Sequence, residues 1–344
     1  MTFVSLLGPP LACLASFQGA MQTEGKLPSS FVLGGIDCRH SEALIAGGQR
    51  RELDQGGTRV QRHDALLLRV ATNKVRGVEV INLGRGVIVD LSCPGGDIVY
   101  AVRDEWTDKI AEDRHTLMRS VDFGSTWDSI EAAPPDLVGV AFYSGDSGYA
   151  WSKTSIYHTM DQGKTWKGVP SPNGMMRRSP KPVVDPQGSL WVAINHGPGY
   201  ERLKNGLVRI MPDLNSEARL QNAVFNVWEM AADRHGNLLM LTEDAETERI
   251  VLRTLQAEWR PNAIRGISEL PSGLPHYVRS VGSGIVVMIA KSFSEEPKST
   301  VLSSRDSGVS WSSVDIPEPG INCMCAWDID AIWYVGTSGT IYGP

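Results

Sequence analysis

The chain has 344 residues, 42% of them hydrophobic and 21% charged, with a net charge of −6. That charge leaves no basic footprint for nucleic acid or an anionic membrane surface, and no apolar run of about 18 residues is present to cross a bilayer. The length exceeds what one compact core usually serves, so two domains or an array of repeats is expected.

The N-terminal run MTFVSLLGPPLACLASFQGA is apolar, yet its first lysine is Lys26 and Gly8-Pro9-Pro10 interrupts it. It reads poorly as a secretory leader. Residues 11–85 follow as an enlarged, irregular stretch. The pattern then sharpens into VIVDLS, IVYAVR and TLMRS, short runs separated by turn chemistry, as strands should be. They lead to Ser120-Val-Asp122-Phe-Gly124-Ser-Thr126-Trp127. The unit from Val138 to Pro170 repeats the order most clearly: GVAFYS, GYAWS, SIYHT, then Thr159-Met-Asp161-Gln-Gly163-Lys-Thr165-Trp166, then TWKGV. Two units lack the motif: VVDP, LWVAIN and GLVRIM from Val183, and VWEMAA, LLMLTE and IVLRTL from Val227. Further on, VRSVG, IVVMIA and TVLSS from Val278 lead to Ser304-Arg-Asp306-Ser-Gly308-Val-Ser310-Trp311. The last unit, from Ile321, offers INCMCAWD, AIWYVG and GTIYG but no fourth run.

The three motif copies fit [ST]-x-D-x-G-x-[ST]-W. An Asp in a tight turn accepts hydrogen bonds from backbone N–H groups about two residues on. The Gly supplies a positive φ, and the Trp opens the next strand while burying roughly 150–250 Å². Asp122, Gly124, Trp127, Asp161, Gly163, Trp166, Asp306, Gly308 and Trp311 are therefore expected to be turn and anchor residues, not a metal or glycan site. Asp122 and Asp161 lie 39 residues apart, and Asp161 and Asp306 lie 145 apart, which is room for three units.

The motif resembles the Asp box of BNR-repeat β-propellers. The resemblance implies an all-β fold: a single β-propeller over residues 1–344, of about seven four-stranded blades, closed by an N-terminal strand. Thr2-Phe3-Val4-Ser5-Leu6-Leu7-Gly8-Pro9-Pro10 can be laid beside Thr165-Trp166-Lys167-Gly168-Val169-Pro170, the aromatic second and the proline after it in both. Residues 1–10 are therefore expected to supply the outer strand of the last blade, residues 11–85 the first blade, and residues 86–344 six more.

Trp333-Tyr-Val-Gly336-Thr-Ser-Gly339-Thr-Ile-Tyr342 resembles the closing strands of propellers related to photosystem II assembly factors. That family binds a protein client without catalysis. Sialidase-type propellers also carry Asp boxes, but their [FY]-R-I-P arginine motif is missing here, and Arg209-Ile-Met-Pro lies mid-chain. No HExxH, GxSxG or Walker loop occurs. No catalytic residue, cofactor or metal is assigned. Cys323 and Cys325 share a strand face and would need Cys93 or a histidine to hold a metal. Asp37-Cys38-Arg39-His40 and Asp233-Arg234-His235-Gly236 read as turns.

In a four-stranded meander the links after the second and fourth strands share the rim opposite the boxes. Four second-to-third links have grown: DEWTDKIAEDR (Asp104 to Arg114), HGPGYERLKN (His196 to Asn205), EDAETER (Glu243 to Arg249) and KSFSEEPKS (Lys291 to Ser299). Three carry an aromatic, Trp106, Tyr200 and Phe293, and a between-blade link on the same rim carries Arg177 and Arg178. Exposed aromatics and arginines dominate protein–protein hot spots, although each aromatic can equally cover its own loop. The expected function is a non-catalytic protein-binding propeller, an assembly factor, inhibitor or immunity-type protein, using that rim. The expected partner is a protein, with neither nucleic acid nor membrane insertion involved. The setting is cytoplasmic, with the periplasm as alternative. A glycan-binding or glycoside-hydrolysing propeller is the other reading.

Overall fold

The computed structural model describes residues 22–28, 30–39, 42–55, 58–71, 78–106, 114–172, 180–194, 205–223, 225–244, 250–255, 261–263, 274–281, 284–291 and 298–344. They form strands, turns and bends, and no helix occurs among them. Seven antiparallel four-stranded sheets make a seven-bladed β-propeller. Blades 1 to 6 span residues 31–85, 87–129, 137–170, 183–223, 225–263 and 274–316. Blade 7 takes three strands from residues 321–343 and its outer strand from Gln22–Lys26. Each inner strand packs against those of the neighbouring blades, and the circuit closes between blades 7 and 1.

The core is divided among the seams. Among the described residues seven apolar clusters are present, one between each pair of adjacent blades. Strand periodicity explains how one blade serves two of them, because successive side chains leave opposite faces. In the second strand of blade 1, Ala43 and Ile45 pack towards blade 7 while Leu44 and Ala46 pack towards blade 2. In blade 2, Val99 and Ala101 face blade 1 while Tyr100 and Val102 face blade 3. Strands such as IVYAV are apolar throughout because both faces are covered.

The Asp boxes join the third strand to the outer one. The Asp122 carboxylate accepts bonds from Thr126 N at 2.8 Å, Thr126 Oγ1 at 2.7 Å and Ser120 Oγ at 2.8 Å. Asp161 and Asp306 repeat this set with Thr165 and Thr159, and with Ser310 and Ser304. The backbone partner lies four residues on, not two. Two consecutive left-handed residues create the longer reach, Phe123 and Gly124 at φ 52° and 84° in the first box. The Trp indole then donates to the box glycine carbonyl, as Trp166 does to Gly163 at 2.9 Å. Trp127, Trp166 and Trp311 pack on the seam with the preceding blade.

Two features differ from expectation. The outer strand of blade 7 is Gln22–Lys26, paired with Thr340–Gly343; residues 2 to 7 lie outside the described residues. Outer strands such as Lys167–Pro170 and Ser312–Ile316 are largely exposed. The polar run Gln-Thr-Glu-Gly-Lys has their composition, and the apolar run Phe-Val-Ser-Leu-Leu does not. Blade 1 is also regular, but its second and third strands are 14 residues each, against five in blade 3. The inner strand pairs only as far as Gln49, and the outer strand only as far as Asp64. Beyond them Arg50–Gln55 and Thr58–His63 continue as a two-stranded ribbon. At about 3.3 Å per residue it rises roughly 20 Å above the rim opposite the Asp boxes.

Candidate binding site at the channel and its rim

The inner strands surround a channel containing a cavity of about 300 Å³, lined by residues from all seven blades. Inner strands have one sheet edge that no neighbour within the blade can pair, so its N–H and C=O groups need other partners. Side chains of the preceding blade supply them. Asp37 accepts from Cys93 N at 2.8 Å, Asp90 from Val140 N at 2.9 Å, and Ser92 from Phe142 N at 2.8 Å. Arg279 donates to Met324 O at 3.1 Å, and Tyr277 OH donates to Asn322 O.

Local geometry aims these groups. In six inner strands the register slips by one residue near the entry, between Leu33 and Gly35, Ile88 and Asp90, Leu137 and Gly139, Val227 and Glu229, Pro275 and Tyr277, and Ile321 and Cys323. Such bulges bend a strand and redirect its side chains. Asp90 and Glu229 follow the slip directly, and Asp37 and Arg279 stand two residues further on.

Charge is balanced locally within the channel. Arg279 Nη1 lies 2.7 Å from Glu229 Oε1, and Lys181 Nζ lies 2.6 Å from Asp90 Oδ1. Lys181 comes from the entry to blade 4 and reaches past blade 3 to blade 2, where it also donates to Leu91 O at 3.2 Å. Burial pushes the Glu229 carboxyl up from its ordinary value, with Arg279 pulling it down. Burial also raises Asp37, against backbone N–H donors from Cys93 and Cys38. Burial likewise pushes the Cys323 thiol up to about 12, and those of Cys93 and Cys325, which also feel Asp37, well above their usual range. Among the described residues no group of three or more His, Cys, Asp or Glu could hold a metal.

Of the rim residues singled out in the sequence, Trp106 is described; Tyr200, Phe293, Arg177 and Arg178 lie outside the described residues. Trp106 is partly buried, with the guanidinium groups of Arg62 and Arg85 each 4.9 Å from its ring and its Nε1 donating to His63 O. It fastens blade 2 to the base of the ribbon. Asp233-to-Gly236 is a turn as read, with Gly236 N donating to Asp233 O at 3.0 Å. Asp37–Arg39 is not a turn but the end of an inner strand.

Sequence reasoning missed the channel charges and Trp228. The signal was present as a lone charge inside an apolar inner strand: Asp90 in VIVDLS, Glu229 in FNVWEMAA, Arg279 in YVRSV. Trp228 occupies the slipped position of blade 5, is 50% exposed, and donates to Glu243 Oε2 at 3.2 Å. It stands where the inner strand enters, on the ribbon side of the ring.

No protein-family model matches the chain. A xyloglucanase from Paenibacillus sp. is 26% identical over 178 residues, covering 43% of this chain and 17% of that protein's length. Among solved structures, YCF48 bound to D1 peptide superposes with a TM-score of 0.64 at 14% identity, covering 94% of each chain. The GH74 xyloglucanase from Xanthomonas campestris gives 0.59 at 12% identity, covering 94% of this chain and 53% of that one. The β-propeller domain of the trilobed protease from Pyrococcus furiosus gives 0.61 at 9% identity, covering 92% and 94%. At these identities the likeness is one of fold.

Proposed function

We propose that this chain is a non-catalytic propeller that holds a segment of a partner protein on the rim opposite the Asp boxes, as an assembly factor, inhibitor or immunity-type protein does. One observation carries this reading: the channel carboxylates are already committed. Glycoside hydrolysis generally needs two carboxyl groups about 5–10 Å apart and free to act as acid and as base or nucleophile. Asp90 is held by Lys181 and a backbone N–H of blade 3, Glu229 by Arg279, and Asp37 by two backbone N–H groups. Their task is to stitch blades together. The full-length likeness to YCF48 bound to D1 peptide supports the same reading. Trp228 offers an exposed aromatic contact, and Tyr200, Phe293, Arg177 and Arg178 are proposed to act with it. The free thiols of Cys38, Cys93, Cys323 and Cys325 support a reducing, cytoplasmic setting.

The second reading, a glycan-binding or glycan-cleaving propeller, is supported by the sequence match to a xyloglucanase, although that match covers a sixth of the enzyme. Reducing-sugar release from xyloglucan, measured beside binding to an array of extended peptides, separates the two. The expected result is no release, with peptide binding weakened about tenfold or more in Trp228→Ala, the effect of losing an aromatic anchor. Turnover of xyloglucan that Glu229→Gln abolishes overturns the proposal.

A further inference from the structure

Five cysteines are spread from residue 13 to residue 325 of the chain, and the four among the described residues converge on one place. Cys38 lies in the inner strand of blade 1, Cys93 in that of blade 2, and Cys323 and Cys325 in that of blade 7. These blades meet where the ring closes. All four carry unbridged thiols, and Cys38, Cys323 and Cys325 are buried.

Strand periodicity sorts them further. Alternate residues of a strand face opposite ways, so Cys323 and Cys325 turn towards blade 1 while Met324 turns towards blade 6. Cys38 enters the same cluster from blade 1, together with Ile45 and Leu68. Of the two blade 7 thiols, Cys325 shares a side-chain hydrogen bond with Cys38. Two strands held by seam packing with their sulfurs in contact have the proximity that a disulfide requires. The Asp37 carboxylate fixes the backbone beside the pair, accepting from Cys38 N and Cys93 N at 2.8 Å each. The Cys93 thiol is bonded to that same carboxylate, which holds it apart from the pair. A buried thiol is a poor nucleophile, thiolate being the reactive form. Cys325 lines the channel cavity, however, and a small uncharged oxidant can reach it there.

We propose that Cys38 and Cys325 are an oxidation site, at which hydrogen peroxide joins the inner strands of blades 1 and 7 by a disulfide and closes the ring covalently. One sulfur attacks a peroxide oxygen, the O–O bond breaks, and a sulfenic acid forms with release of water. The second sulfur attacks the sulfenic sulfur; the S–O bond breaks as the S–S bond forms, releasing a second water. The two sulfurs lose two electrons, the peroxide gains them, and both thiol protons leave in the water. Without the bridge, the ends of the ring are held by the pairing of Gln22–Lys26 with Thr340–Gly343 and by seam packing. With it, residues 38–325 become one covalent loop, and so long a loop removes much of the freedom of the unfolded chain. The site does not depend on what the rim binds.

The test treats the reduced full chain with hydrogen peroxide, stops the reaction with catalase, alkylates the remaining thiols in denaturant and maps the peptides by mass. The product should lack two hydrogens and carry Cys38 and Cys325 in one cross-linked pair. It should melt about 5 °C or more above the reduced protein, a gain that dithiothreitol reverses. Cys38→Ser and Cys325→Ser should each remove the cross-link and the gain, whereas Cys323→Ser, two residues along the same face, should keep both. The mapping uses the wild-type chain and so decides the pairing whether or not a serine variant folds.

A cross-link from Cys38 to Cys93 or Cys323 overturns the site, as does a bridge between two molecules. Thiols that all remain open to alkylation, or oxidation that stops at sulfinic acid, overturn it too. A Cys38–Cys325 bridge that leaves the melting temperature unchanged overturns its closing role.

Discussion

Blade 3 and blade 1 present the same strand order to the ring, yet they use their residues differently. Blade 3 completes four strands in residues 137–170, with second and third strands of five residues joined by a tight turn. Blade 1 takes residues 31–85 for the same four strands, and its extra length stands above the rim. Within the ring the two are equivalent: Ile45 and Leu44 are fully buried on either side of one, as Ala150 and Tyr149 are in the other. The seam contact is the constraint, and whatever lies beyond it is free to vary. Loops and extensions on a rigid scaffold are where binding is placed for that reason.

The comparison breaks most severely at the closure. Removing Gln22–Lys26 strips the outer strand from blade 7 and exposes the edge of Thr340–Gly343. The expected outcome is insoluble protein or a melting temperature lowered by about 10 °C or more, because an open edge also invites pairing between molecules. A melting temperature unchanged on that deletion sinks the closing role.

Gly34 sharpens it at the next scale. A Cβ there would lie 1.8 Å from Ile88 O, in the backbone of blade 2. Gly34→Ala should therefore force the blade 1–blade 2 seam apart and cost about 1–3 kcal/mol, the usual range for overpacking. The check is a lower urea midpoint at unchanged slope.

The smallest effect belongs to blade 3 itself. Asp161 is held at about 2 by the Thr165 hydroxyl and N–H, below the value near 3.9 of an unfolded chain. Stability from this turn is thus present above about pH 4 and lost as pH falls through about 2. Asp161→Asn should lower the melting temperature by a few degrees at pH 7, and the gap from wild type should close by pH 2. A gap that persists in acid means the carboxylate charge is not what holds the turn. Peptide binding should be untouched, the box lying on the far rim.

What was legible in the sequence follows the range of the interactions involved. The Asp boxes could be read because Asp122, Gly124 and Trp127 close on one another within a few residues, and three copies gave the repeat. The closing strand was misplaced because an aromatic–proline spacing outweighed the polarity that outer strands share. The ribbon was hidden because RRELDQ and TRVQRH carry no apolar alternation, which a strand needs only when one face is buried. The channel charges were visible as residues, but their meaning depends on partners about 50 positions away, as between Asp90 and Val140. Trp106 could have been exposed or packed; its ring lies against Arg62 and Arg85, contacts that neighbouring sequence does not announce.

Apart from the Lys181 bond back to blade 2, the side-chain bonds to inner-strand backbone around the channel share one sense of rotation. From Asp37 to Cys93, Asp90 to Val140, Ser92 to Phe142 and Arg279 to Met324, each runs from a blade to its successor in chain order. A blade leaving the ribosome therefore meets, on the one already made, the groups that finish its inner edge. Assembly can proceed vectorially, each step templated by the last. Blade 7 alone takes its outer strand from far back in the chain, so Gln22–Lys26 has to stay available until residues 321–343 have been made.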